Sequence, residues 1–296
     1  TLSAPQWIDA TYEGDLLAMA GCSFSIGREA NAQYTETDNG IAALLSDATQ
    51  FHASVDPYVT PGVPSSGLLP TISSDTLGTT GAASDQVQAM CYRINITNDV
   101  SIRVPFPEPA SYDPLQYELL GRHAALAGGA WTTIQSVIQL FPIATIKNDV
   151  LHAAPISIDY ISPESTEYIT ATPERRAQIE ANMKNFTLGL LKFIGTDTRF
   201  PAAVRADVAT YGFCSDEWTS NGSFPPVPYV RCGRRMVGDF VLRDSHSKAA
   251  NAFTDPIEYS YYAIDSHHVR RLLSGGQVKN EGKKIGSAYV GAVIPF

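Results

Sequence analysis

The sequence predicts an α+β protein, on three observations. Thr172, Pro173 and Glu174 make a strong helix start, and Ile179, Met183, Phe186, Leu190 and Ile194 then recur at helical spacing. Residues 88–97 alternate and are rich in β formers, as a strand with one buried face does. Residues 7–21 run from apolar strand through small-residue turn to short helix, which is the pattern of an α/β layer. The expected organisation is a remnant of that layer over residues 1–35, then a larger mixed-sheet and helix domain over residues 36–296.

Each element has its own reason. In the opening stretch Asp15 caps a helix with Leu16, Leu17, Met19 and Ala20 inside and Gly21 as the stop. Such a strand-to-helix turn is either an ordinary connection or a ledge for an anion or cofactor, since helix-start N–H groups are free to donate. Residues 24–28 continue as strand, 33–40 turn polar, and 41–51 are weakly helical. Residues 56–85 are rich in Pro, Gly and Ser, a long insert of the functional or mobile kind. After the strand at 88–97 a turn at Asn98-Asp99 leads into a returning strand over 100–104, then an extended segment over 105–109. Asp113 and Pro114 start a helix over 115–125. Strands follow over 141–150 and 156–161, the long helix runs to Gly195, and Pro201 begins another helix. Residues 228–242 and 257–269 read as strands, 275–286 as a loop, and 288–294 as a last strand.

Composition limits the partners. A formal charge of −9 excludes nucleic acid and anionic membrane, both of which need a basic face. There is no run of about 18 apolar residues, so no transmembrane helix is expected. Only 17% of residues are charged, which suits an extracellular protein or one with much buried surface. Among three N-x-S/T sequons, Asn95 lies in a strand pattern and Asn185 in a helix. Asn221 sits in a Gly/Pro/Ser loop and is the credible glycosylation site. The four cysteines are too widely spaced for zinc. Cys214 and Cys232 flank the Asn221 loop at a favourable closure length, so a disulfide is expected there, with Cys22 and Cys91 free.

Residues 8–16 (Ile-Asp-Ala-Thr-Tyr-Glu-Gly-Asp-Leu), followed by Gly27-Arg-Glu-Ala-Asn31, resemble the FAD-dependent oxidoreductase family often found beside polysaccharide-degrading genes. Matches continue in order through Cys91-Tyr-Arg-Ile94, Asn185-Phe-Thr-Leu-Gly-Leu-Leu191 and Asp216-Glu-Trp218 to the segment 228–241 and Ile264-Asp-Ser-His-His-Val269. The opening segment resembles the strand that passes the flavin in glutathione-reductase-like and succinate-dehydrogenase-like proteins. The resemblance implies that Asp9, Ala10, Thr11 and Asp15 lie near FAD. One departure is Cys232-Gly233, where the family has an acidic and a small residue. The glycine-rich G-x-G-x-x-G is absent, as is the acidic residue expected beyond it. The chain alone is therefore expected to bind FAD weakly or not at all. It should expose an apolar sheet edge around Trp7 and Ile8, and a companion chain or further segment should carry the missing motif.

The candidate site residues follow from chemistry and resemblance together. Arg231, Arg234 and Arg235 cluster among β formers. They either bind a substrate's carboxylates or hydroxyls or form ion pairs with Asp239, Asp244 or Glu217. Of the adjacent His267 and His268, a strand would turn one to each side, so they do not readily share a metal, and no metal motif is present. One of them, first His268, would serve as general base for a hydroxyl proton, oriented by Asp265, while the other is packed or exposed. Tyr259, Tyr261 and Tyr262 would line a sugar-sized pocket or fill a sheet, and Tyr92 and Arg93 are further substrate contacts. The function implied is that of part of a secreted FAD-dependent oxidoreductase acting on a small hydroxylated, sugar-related substrate. The alternative is a non-catalytic secreted glycoprotein that keeps the substrate domain as a binding or structural module.

Overall fold

The structure, a computed structural model, describes residues 3–6, 8–248, 256–260, 264–285 and 292–295. It is α+β, as predicted. Its organising element is the helix Pro173–Thr196. Thr172 Oγ1 accepts the Arg175 N–H at 3.3 Å, and Pro173 occupies the first turn. All five residues of the predicted apolar face are buried, each contributing about 1.5–3 kcal/mol relative to exposure. Asp113 accepts the Leu115 N–H at 3.0 Å and opens a 3-10 turn that leads into the helix Glu118–Ala127.

Beside these helices lies a five-stranded antiparallel sheet. Its order is Arg103–Val104, Gly212–Cys214, Asn95–Thr97, Lys147–His152, Ile138–Ala144. The returning strand predicted after Asn98-Asp99 therefore does not pair with the strand before it. Gly212–Cys214 takes the place between them because Phe213 is wholly buried there; core burial outweighs local hairpin closure. The strand predicted at 156–161 is reduced to a single bridge, Tyr160 with Met90. That at 228–242 is reduced to a bridge of Tyr229 with Cys91 and the short strand Arg235–Met236, paired with Phe24–Ser25.

The largest correction is at 275–286. Arg270–Ser274 and Gln277–Glu281 form a hairpin closed by Gly275 and Gly276, at φ 57° and 76°. Two glycines at positive φ are what the tightest hairpin turn requires. Glu281 on this hairpin is buried and takes Arg28 at 2.6 Å, Arg270 at 3.0 Å and the Ala42 N–H at 2.8 Å. The weak helix expected at 41–51 is irregular instead. Asp47 holds the Thr49 N–H at 2.9 Å, and Gln50 donates to the Asn280 carbonyl at 2.7 Å, so side chains draw the backbone into other partners.

The opening segment also departs from expectation. Residues 8–13 are not a strand, and Ile8 is 87% exposed. The helix Asp15–Met19 exists, but it buries none of its residues, and the cap position is Gly14 rather than Asp15. Trp7, Tyr261 and Tyr262 lie outside the described residues, and Tyr259 is in a strand whose side chains are not described. No described helix is long and apolar enough to cross a membrane. The Cys214–Cys232 disulfide is not formed. All four cysteines are free: Cys214 is buried in the sheet opposite Arg103, while Cys232 accepts an N–H from Arg235 at 3.1 Å. Sheet pairing and the arginine hold the two thiols in separate settings.

Candidate functional site

Two of the flagged segments converge on a residue that neither contains. Asp159 comes from the apolar run Ile156-Ser-Ile-Asp-Tyr-Ile161 and is buried. Its Oδ1 takes Arg231 at 2.9 Å and its Oδ2 takes His267 Nδ1 at 2.7 Å. Burial by itself would raise this carboxyl, but Arg231 and the His267 hydrogen bond more than offset it and hold Asp159 well below the usual carboxylate range. The anion is therefore permanent. An ionised carboxylate accepts only, so His267 Nδ1 carries a proton toward Asp159.

The ring of His152, at the end of the strand Lys147–His152, lies 4.7 Å from that of His267 and 6.3 Å from that of His268. Both neighbouring histidines thus flank one ring. The chain leaves its strand at Ser266, so the expected alternation does not apply. Burial pushes His152 down to about 4 and His268 down to about 3, and both stay neutral. His268 is only 4% exposed, with Thr49 Oγ1 3.4 Å from its Nε2. Cys91 beside Arg231 is pushed up to about 11, chiefly by burial, and remains a thiol. The backbone N–H of His267 donates to Gln88 Oε1 at 2.8 Å. Gln88 in turn lines a cleft of about 620 Å³ together with Arg28, Glu29, Tyr34, Arg235 and Phe240. That volume falls within the range of small-molecule sites.

The other arginines do not join the cluster. Arg234 binds Asp15 at 2.6 Å and the Glu13 carbonyl at 3.0 Å, and Arg235 binds Glu29 at 2.7 Å. Both are ion-paired, with partners other than the three considered from sequence. Arg93 pairs with Asp149 and stands over the Tyr229 ring, while Tyr92 is buried 4.7 Å from Phe224. Asp265 is exposed, and the carboxylate that orients His267 is Asp159. The Asn221 amide, to which a glycan would attach, donates to the Phe224 carbonyl at 3.0 Å. Asp159 was legible in principle, because a lone acid in an apolar run needs a buried partner. Nothing in the sequence marked His152.

The proposed flavin ledge is occupied by the chain itself. Asp9 Oδ1 takes both the N–H and hydroxyl of Thr11, and Asp9 Oδ2 takes the Leu17 N–H at 2.8 Å. The helix start thus has an internal anion on it. Asp15 is held by Arg176 at 2.6 Å and by Arg234. Gly233 packs so closely that a Cβ there would stand 1.8 Å from the Tyr12 carbonyl oxygen; the gap is filled by backbone. The ledge at residues 9–17 therefore does not fit the pyrophosphate of a dinucleotide cofactor.

Comparison with known proteins gives one match. A family model described as FAD dependent oxidoreductase covers residues 1–289. No curated protein and no solved structure matches the chain.

Proposed function

The chain belongs to the FAD dependent oxidoreductase family, and from that premise we propose that it supplies the substrate-handling side of an exported oxidoreductase. The substrate in this reading is a small hydroxylated, sugar-like compound. The observation that carries it is the hydrogen bond from His267 Nδ1 to the buried Asp159, one residue along the chain from Ser266, which lines the 620 Å³ cleft. Nε2 of His267 takes the hydroxyl proton. Asp159 fixes the ring and stabilises the imidazolium that forms, as carboxylates do for catalytic histidines. Arg231 keeps Asp159 ionised. His267 suits this role better than His268, whose burial disfavours protonation. Glu29 and Arg235 on the cleft wall offer an acceptor and donors to substrate hydroxyls.

A flavin, if bound, would supply the hydride-accepting chemistry, and the helix start at residues 14–17 does not offer its pyrophosphate a cradle, because Asp9 already takes the Leu17 N–H. We place that cradle on a glycine-rich segment outside them, in further polypeptide or a companion chain, with residues 1–35 at its edge. Export rests on the sequons and the low charged fraction. The lack of a cradle at residues 14–17 also supports a second reading, a binding module without catalysis.

The test is an absorbance scan of native material, followed by dye reduction with a panel of sugars and polyols. The expected result is flavin bands, with turnover that falls by about 100- to 10,000-fold in His267→Gln. Native material without flavin bands or dye reduction would overturn the enzyme reading and leave the binding module.

A further inference from the structure

We propose that His152, Asp159 and His267 form a binding site for a divalent transition metal of the zinc or ferrous-iron class. One ring nitrogen of each histidine and one carboxylate oxygen lie within 4.8 Å of one another. Two imidazoles and a carboxylate are a donor set that both ions accept, with positions left open for water or ligand. His267 Nδ1 and Asp159 Oδ2 are already 2.7 Å apart. Two neighbouring ligands on one ion stand about 3 Å apart when each bond is about 2.1 Å long, so little movement is needed.

Two further features point to a ligand. Nδ1 of His152 is buried and has no hydrogen-bond partner. Leaving such an atom unsatisfied is unfavourable, and coordination is one way to satisfy it. The carboxylate is also braced: Arg231 holds Asp159 Oδ1 at 2.9 Å and leaves Oδ2 for the ion, the kind of outer partner that orients metal ligands. Nearby Lys283 is matched by Asp47 at 2.8 Å, so a dication would not face that cation unbalanced.

The inference rests on these donors and stands apart from the oxidoreductase reading. Where both hold, they exclude each other in time. An ion held at His267 Nδ1 displaces the hydrogen bond to Asp159 on which the general-base reading depends. An occupied site is an inhibited one.

The experiment titrates the full chain with Co²⁺ and follows its visible absorption. One equivalent should bind and be displaced by Zn²⁺. His152→Ala, checked for folding by circular dichroism, should weaken binding at least about 100-fold. His52→Ala, altering an exposed histidine outside the cluster, should not. No one-to-one binding, or binding unchanged in His152→Ala, would overturn the proposal. Should that variant fail to fold, the unsubstituted chain decides: Zn²⁺ must move the ring resonances of His152 and His267 and leave those of His52, His123 and His246, and the reverse pattern overturns the site. The readout is binding, so its failure leaves the dye-reduction test of the oxidoreductase untouched.

Discussion

Asp15 and Asp159 are both carboxylates held by arginine, yet the surroundings give them different work. Asp15 is 37% exposed in its side chain and spends both oxygens on Arg176 and Arg234. It is a clamp between the opening segment, the long helix and the segment that follows Arg231. Asp159 is buried and divides its oxygens between one arginine and one histidine. A pair of charges that cannot titrate near neutral pH joins two parts of a chain. A buried anion that meets an imidazole ring can orient it or share a metal with it. The comparison suggests that arginine clusters in such a sequence should be sorted by what their carboxylate partners touch next.

The contrast predicts unequal costs. Asp159→Asn leaves Arg231 buried without its counter-ion. Removing one partner of a buried pair costs about 3–5 kcal/mol, so the urea midpoint should fall sharply. A loss below about 1 kcal/mol would mean that Arg231 finds another acceptor or water, and that Asp159 is less central than the geometry implies.

Gly233→Ala should come next. The new methyl meets the Tyr12 carbonyl at 1.8 Å and cannot be accommodated without shifting backbone. Overpacking of this kind costs about 1–3 kcal/mol. The cheapest escape is for residues 9–19 to lift away, since the helix there buries none of its residues. Limited proteolysis should accelerate between residues 9 and 19, about fivefold for each kcal/mol released, while the Asp159 cluster keeps its protection. Equal exposure of both regions would show that the opening segment and the body unfold as one.

The same contrast explains what could be read in advance. The long helix was legible because its cap, first-turn proline and apolar face are all local signals in Thr172-Pro173-Glu174 and the residues after it. The Gly275-Gly276 hairpin is equally local: two adjacent glycines between β-forming segments are a hairpin signal as well as a loop signal. The sheet order could not be read, because Gly212–Cys214 enters between two earlier strands from more than 100 residues away. The site was half legible. Arg231 and His267 were both marked as polar residues in β-forming segments. Their shared carboxylate, and the His152 ring beside them, depend on long-range packing that no spacing rule reports. At the opening segment Asp9 satisfies the helix start from eight residues upstream, a side-chain contact that a strand over these residues would not make.

The smallest effect belongs to Asp15, and its pH dependence sharpens the comparison most cleanly. Hydrogen bonding from Arg176 is the main cause that holds its carboxyl down to about 2, against an ordinary 3.8. A depressed folded-state value means the ion pair's contribution is present above pH 3.8 and is lost as pH falls through about 2. Because the carboxylate is partly in water, Asp15→Asn should cost less than about 1 kcal/mol at neutral pH. The gap between wild type and variant should stay level down to about pH 4, narrow below it, and close near pH 2. Added salt should shrink it as well, since exposed pairs are screened. Were the gap instead as large as that of Asp159→Asn and indifferent to salt, Asp15 would belong with the buried anions. The opening segment would then be part of the folded body rather than a clamp laid upon it.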